Sequence, residues 1–209
     1  SPAGSMTVLG DLAQSTTPAG QQDWAEAMRW LAPGGGDTQV AHLTIGYRVP
    51  GPILDMANRL LPFTAVAAEA SSSVRLLGEP PSFRHAPGGA ADLAAVVAAE
   101  VQAVRHRHHN TGLVAPAARH EELAAGLAAI GLTAVDRVHN LAHDDVPLFH
   151  PEAVKGLEFD GVVVVNPHEV FTGPADARGA RLLYVAMTRA VQTLHFVSTA
   201  PLPPELTAV

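Results

Sequence analysis

Two periods of hydrophobic recurrence alternate along the chain. At helical spacing, Trp24, Ala27, Met28 and Leu31 form a stripe that the Pro33-Gly34-Gly35-Gly36 stretch stops, which predicts a short amphipathic helix over residues 22–31. Ile53, Leu54, Ala57, Leu60 and Leu61 share one face behind Pro50 and Pro52, residues suited to a helix start. Leu93, Val96, Val97, Val101 and Val104 mark a helix over 92–108 that opens after Gly88-Gly89 and ends basic, as the helix dipole prefers. Leu123, Leu127 and Ile130 mark another over 118–130, and 179–190 reads as the last long helix. Short extended candidates lie at 6–10, 39–44, 73–77, 82–85, 111–115, 133–138 and 193–197. The run Gly161-Val162-Val163-Val164-Val165 differs from these in being continuously apolar and β-branched. That marks a strand buried on both faces, and so a parallel sheet covered by helices. The pattern predicts a three-layer α/β fold with a mainly parallel sheet over 39–200. An edge segment at 1–38 precedes it and an exposed, Pro-rich tail at 201–209 follows.

Composition narrows the classes. With 47% hydrophobic and only 16% charged residues, a chain of 209 residues can build a sizeable core, and disorder is excluded over most of its length. The absence of Cys excludes a disulfide framework, a thiolate zinc site and a cysteine nucleophile, and it fits a reducing compartment, so a cytoplasmic location is expected. No apolar run approaches the roughly 20 residues of a spanning helix, and the first residues lack the layout of a secretory signal, so no membrane association is expected. A formal charge of -7 argues against free-standing nucleic-acid affinity, because phosphate binding rests on clustered Lys and Arg.

Four places carry polar groups that a core does not require. They are Gly10-Asp11 with Gln14, the Tyr47-Arg48 turn, the stretch from Lys155 and Gly156 through Glu158 to Asp160, and the set Tyr184, Thr188 and Arg189 within the apolar LLYVAMTRA. Arg189 must either snorkel or meet an anion. Ligands of open α/β sheets lie beyond the carboxyl ends of strands, where several of these groups are expected to fall, and an oxyanion site is inferred. Taken singly, each residue has a plainer meaning. Arg189 would be a helix-surface partner of a carboxylate, Glu158 a solvated carboxylate, Gln14 a turn residue and Tyr47 an amphipathic ring at the edge of the core. His106 and His109 share a helical face, while His139, His143 and His150 lie near Asp144 and Asp145. The first pair lacks a third ligand and the second set lacks strict spacing, so a solvated helix end and a polar loop are expected, with no metal site.

In order along the chain, Gly10-Asp11 with Gln14, Tyr47-Arg48 followed by Ala57-Asn58, VKGLEFD over 154–160 and YVAMTR over 184–189 resemble the third to sixth helicase motifs of the UvrD/Rep superfamily. A lone GLEF or TR carries little, whereas four ordered motifs on compatible elements are specific. The resemblance covers almost the whole chain. It implies the second RecA-like domain of an ATP-dependent helicase or translocase, with the first motif at the edge of the other lobe. Gln14 would then sense the γ-phosphate, Tyr47 stack on adenine, Arg48 reach the γ-phosphate and Glu158 bond the ribose. Arg189 would be the arginine finger, placing positive charge where phosphoryl transfer develops negative charge, with Lys155 and Gly156 shaping the adjoining loop. The implied cofactor is ATP with Mg2+, and the implied partners are the first RecA-like lobe and single-stranded DNA or RNA polymerase.

No G-x-x-x-x-G-K-[ST] run and no acidic Walker B pair occurs. The phosphate cradle, the metal ligands and the water-activating carboxylate are therefore expected on the first lobe, and this chain alone is expected not to hydrolyse ATP. Two departures stand out within the motifs. After Gln14 come Ser15, Thr16, Thr17 and Pro18, where unwinding members carry an aromatic and an Arg that contact single strands. Before Lys155 come Glu152, Ala153 and Val154 in place of a His-Ser-Ala run, and a carboxylate there repels a phosphodiester backbone. Only about a hundred residues separate Arg48 from Lys155, too few for the accessory domain inserted in UvrD and Rep. This layout, with GEPP over 78–81 and APAARHEELAAGL over 115–127, resembles the HelD-type branch, whose members engage and release bacterial RNA polymerase. The alternative implied is a polymerase-recycling domain with little or no DNA unwinding.

Overall fold

The structure, a computed structural model, describes residues 6–17, 20, 23–32, 37–88 and 90–207. Helix α1 (Trp24–Leu31) is capped by the Asp23 carboxylate, which accepts from the Ala25 N–H at 2.8 Å. Strands β1 (Ile45–Gly46) and β2 (Ser72–Ser73) pair in parallel on either side of α2 (Gly51–Asn58) in the chain. Pro52 sits in the first turn of α2, where its missing N–H costs nothing, and the helix buries Ile53, Leu54 and Ala57. There follow β3 (Ser82–His85), α3 (Ala90–Arg107), β4 (Thr111–Val114), α4 (His120–Ala128), β5 (Thr133–Val135) and β6 (Asp145–Phe149). The chain continues through β7 (Phe159–Val165), α5 (Pro167–Val170), α6 (Ala177–Met187), β8 (Ala190–Ser198) and α7 (Pro204–Thr207).

Strands β3 to β8 form one parallel sheet in the order β3-β8-β7-β4-β6-β5. The valine run of β7 shows why the sheet must be covered on both sides. Val162 and Val164 join the cluster of Ile53, Leu183 and Met187 from α2 and α6, while Val163 and Val165 join Val97, Val101, Leu123 and Leu127 from α3 and α4. All four valines are fully buried, each worth about 1.5–3 kcal/mol of transfer free energy. The fold is α/β with helices on both faces of a parallel sheet.

Several local expectations need correction. Residues 6–10 form no strand, since no described strand lies beside them, and the chain instead turns where the Asp11 carboxylate accepts from the Ala13 N–H at 2.9 Å, capping the 3-10 turn Leu12–Gln14. The extended stretch at 39–44 gains a strand partner only from Ile45 onward, with Val40 and Leu43 exposed. The polar loop expected around Asp144 and Asp145 contains β6, an interior strand carrying Pro147. Val146 and Leu148 alternate into the α3/α4 cluster, and the buried Asp145 accepts from Arg137 at 2.6 Å and from the Ala142 N–H at 2.9 Å. The tail is not simply exposed, because Leu206 is fully buried and its carbonyl accepts from Arg59 Nη1 at 2.6 Å. The stop at Pro33 to Gly36, Pro18 and Gly89 lie outside the described residues. No described helix is long and apolar enough to cross a membrane.

Candidate functional site

Helix α6 buries every residue from Gly179 to Met187, so its carboxyl end is fixed against the sheet. Thr188 closes the helix by donating its hydroxyl to the Tyr184 and Val185 carbonyls at 3.0 and 3.1 Å, and β8 begins two residues later. The Phe159 N–H donates to the Arg189 carbonyl at 3.0 Å, which aligns the entries of β7 and β8. Arg189 therefore stands at the amino end of β8, and Glu158 directly precedes β7. The carboxyl-end placement is thus corrected. The switch-point rule concerns loops that leave strands, whereas these groups ride on segments that enter them.

Arg189 is 2% exposed. Its Nε donates to the Val185 carbonyl at 3.1 Å, its Nη1 to the Leu157 carbonyl at 3.4 Å, and its Nη2 to Gln14 Oε1 at 3.2 Å and Thr188 Oγ1 at 3.3 Å. Among the described residues no carboxylate comes within ion-pair distance of it, which overturns the plain reading of a surface arginine paired with Asp or Glu. Burial pushes its pKa down and the charge of Arg48 adds to this, against Glu158, Asp11 and Tyr184, yet a guanidinium stays charged. Backbone carbonyls at a helix carboxyl end are the dipole's negative pole and supply part of the missing compensation.

Arg48 meets this group from another element. Its Nη1 lies 2.5 Å from Glu158 Oε1, its Nη2 donates to the Thr188 carbonyl at 3.4 Å, and its Nε is buried without a partner. Gln14 is held by its amide donating to Asp11 Oδ2 at 2.8 Å, which leaves its oxygen for Arg189. The structure thus joins Gln14, Arg48, Glu158 and Arg189 through hydrogen bonds. It does not join the remaining three. Tyr47 is 74% exposed, Lys155 and Gly156 are exposed, and among the described residues no hydrogen bond or ring contact links them to the cluster. Gly156 has φ +84, the left-handed turn that brings the chain back into Leu157 and Glu158.

Sequence reasoning assigned no role to Asp11, Tyr184 or Arg75. Tyr184 is buried in α6 beside the cluster, and burial first, then the Asp11 charge, push its phenol up to about 12, so it remains a neutral donor. A cavity of about 410 Å³ shares Asp11 and Tyr184 with the cluster and is otherwise walled by Trp24, Met28, Val40 and their neighbours. The only signal for Arg75 is a lone cation in the short apolar run Val74 to Leu77.

Chemically, the cluster offers two neighbouring guanidinium groups, of which Arg48 meets the Glu158 carboxylate and Arg189 meets no carboxylate among the described residues. That is an arrangement for receiving an anion. Residues 152–197 match the family model of the UvrD-like helicase C-terminal domain. The matched stretch contains Lys155, Gly156, Glu158 and Arg189 but not Gln14, Tyr47 or Arg48. The fold is similar to a crystal structure of the C-terminal domain of a possible DNA helicase from Lactobacillus plantarum WCFS1, at 25% identity and a TM-score of 0.56, covering 77% of this chain and 92% of that one. No curated protein matches the chain. The chain is thus similar to helicase C-terminal domains, over less than a quarter of its length by the family model and over most of its length by fold.

Proposed function

We propose that the chain is the second lobe of an ATP-driven, UvrD-like motor and that its arginine pair completes a nucleotide site shared with a P-loop lobe. The observation that carries this is Arg189, buried at the amino end of β8 with no carboxylate partner among the described residues, beside a second arginine. A phosphate oxygen would supply the counter-charge that no described carboxylate brings to Arg189, and charge-assisted bonds from two guanidiniums suit it. The orphaned Arg48 Nε is a further donor that such a group would satisfy. In this reading ATP with Mg2+ meets these residues on its phosphate side only, and the metal ligands are expected on the other lobe; among the described residues no group of three or more His, Asp or Glu is placed to hold a metal ion. When bound, that nucleotide supplies the phosphoryl group to be transferred.

In this reading Arg189 neutralises charge developing on the terminal phosphate, and Gln14 keeps its Nη2 pointed by accepting from it. Arg48 contributes the second positive charge. Glu158 acts as the counter-ion of Arg48 that a phosphate displaces, in addition to the ribose role that the motif implies. The polymerase-recycling alternative is favoured by one observation. Glu152, at the place where strand-tracking relatives carry His-Ser-Ala, is an exposed carboxylate ion-paired with Arg178.

Steady-state ATP hydrolysis by the chain joined to its P-loop lobe is the test. Arg189→Ala should lower kcat by about a thousandfold or more while nucleotide binding persists. Unchanged turnover would sink the proposal. Stimulation by single-stranded DNA would assign nucleic-acid translocation, and stimulation by RNA polymerase alone would assign the HelD-type role.

A further inference from the structure

The two site arginines sit on unrelated segments, and each lowers the comfort of the other. Arg48 belongs to the turn after β1, whereas Arg189 opens β8, and the charge of Arg48 helps push the Arg189 pKa down. Left alone, two like charges drift apart. Something must hold the turn against the strand, and the Arg48–Glu158 ion pair is too exposed to do this, since both side chains are about half solvated.

Arg75 occupies the position needed. One of its guanidinium nitrogens, Nη1, donates to the backbone carbonyl of Arg48 at 2.5 Å and to that of Val191 at 2.5 Å. Its Nη2 donates to Gln192 Oε1 at 2.8 Å. A single side chain therefore ties the residue that carries the first guanidinium to the strand two residues beyond the second. Its own backbone is fixed with equal care. Its N–H donates to Ser73 Oγ at 3.0 Å, its carbonyl accepts from the Gly51 N–H at 2.8 Å, and Ser73 Oγ donates to the Val49 carbonyl at 2.6 Å. The Val74 N–H adds a bond to the Gly46 carbonyl at 2.9 Å. The segment 72–75 thus clamps 46–51 from both sides, and the clamp ends in the side chain that reaches β8.

We infer that Arg75 is a positioning residue that sets the separation of Arg48 and Arg189, so that both meet the same anion at once. This rests on the two-lobe reading above. The planar fork suits this position, because one nitrogen meets both carbonyls while the other, held in the same plane, meets Gln192, a fixed spacing of donors that a lysine ammonium lacks. Arg75 touches no reacting atom and acts only through Arg48 and β8.

The experiment measures ATP hydrolysis by the two-lobe protein carrying Arg75→Met, Arg75→Lys, Arg48→Ala, Arg189→Ala and the Arg48→Ala/Arg75→Met pair. Arg75→Met should lower kcat roughly 10- to 100-fold with KM for ATP changed by less than about threefold, the signature of misplacement rather than lost binding. Arg75→Lys should restore only part of that loss. In the double variant the Arg75 effect should vanish, because the residue works through Arg48. If Arg75→Met fails to fold, Gln192→Ala, which removes one exposed partner of the fork, should show a smaller kcat loss of the same kind. An Arg75→Met protein, or failing that a Gln192→Ala protein, with wild-type kcat beside an inactive Arg189→Ala would overturn the inference alone. Full additivity with Arg48→Ala would overturn it as well. An Arg189→Ala protein with unchanged turnover would overturn the two-lobe reading and this inference together.

Discussion

Arg119 and Arg189 stand at opposite strand ends of the same sheet and have opposite environments. Arg119, beyond the carboxyl end of β4, donates its Nε and Nη2 to the Glu169 carboxylate, the latter at 2.6 Å, and its Nη1 to Glu122 at 3.3 Å. The Glu169 hydrogen bonds outweigh desolvation and raise its pKa. Asn166, buried and left-handed at the end of β7, supports this arrangement by donating to Glu169 at 2.7 Å. Arg189 is more deeply buried, has no carboxylate, and its pKa is lowered. One arginine has all its charge met from within the chain. The other is held in place by carbonyls, a hydroxyl and an amide, with its charge only partly compensated from a distance and no carboxylate in contact among the described residues, which a fold does not need for its own sake. The contrast separates a structural arginine from one kept for a ligand, although both reside in polar surroundings at strand ends.

Unfolding experiments on this chain should break or sustain that distinction, and the largest effect is expected for an apolar replacement. Arg119→Met leaves Glu169 without its partner at a part-buried site and should cost about 2–3 kcal/mol in urea. Arg189→Met removes an unpaired buried charge and should be neutral or stabilising by up to about 2 kcal/mol. If Arg189→Met instead lost as much stability as Arg119→Met, Arg189 would be a structural residue like its counterpart.

A smaller effect is expected on titration. Burial alone would raise the Glu169 pKa, but the hydrogen bonds and charge of Arg119, with help from Asn166, hold it below the ordinary 4.5. Its contribution is therefore fully present above 4.5 and disappears as the pH falls through the folded value. His195 gives a second and distinct window. Its Nδ1 lies 2.8 Å from Glu100 Oε1 and 2.8 Å from Ser82 Oγ, and burial outweighs the Glu100 charge and pushes its pKa below 6.5. Stability from a neutral buried His195 is fully present above 6.5 and is lost progressively at lower pH, down through the folded value. Denaturation midpoints from pH 8 to pH 3 should thus fall in two steps, with the first reduced by His195→Phe, His150 with its pKa also lowered by burial carrying the rest, and the second reduced by Arg119→Met. No step should trace to Arg189. A titration step removed by Arg189→Met would contradict its lack of a carboxylate partner.

Much of the fold was legible in the sequence because burial on two faces leaves a one-dimensional mark. The valine run of β7 and the stripe of α3 carry their packing in their spacing, and the linear motifs named Gln14, Arg48, Glu158 and Arg189. Strand β6 was hidden because the His and Asp residues around it read as a polar loop, although Val146 and Leu148 keep the period of two. The stretches at 6–10 and 39–44 have β-type composition, but a strand exists only with a neighbour, and composition cannot supply one. The features of the site that matter most were not legible at all. The Arg48–Glu158 pair joins residues 110 positions apart, and the absence of a carboxylate at Arg189 is a property of three-dimensional surroundings. That the cluster lies at strand entries became visible only when α6 was seen to end at Met187 and β8 to begin at Ala190.

The finest test of the same contrast uses two glycines. Gly156 and Gly131 have nearly the same left-handed conformation, φ +84 and +79, and in both cases an added Cβ meets nothing within 4 Å. Alanine at either should therefore cost only the conformational penalty, about 1 kcal/mol, without steric damage. Their surroundings differ in what comes next along the chain. Gly131 ends the turn after α4 on the side of the sheet away from the arginine pair. Gly156 precedes Leu157, whose carbonyl accepts from Arg189, and Glu158, which pairs with Arg48. Equal losses of stability are expected, with turnover of the two-lobe protein lowered severalfold only by Gly156→Ala, since small misplacements of catalytic groups are costly. If both substitutions left turnover alone, the backbone of the 155–158 loop would have no part in aiming the arginines, and their geometry would rest on Gln14 and Arg75.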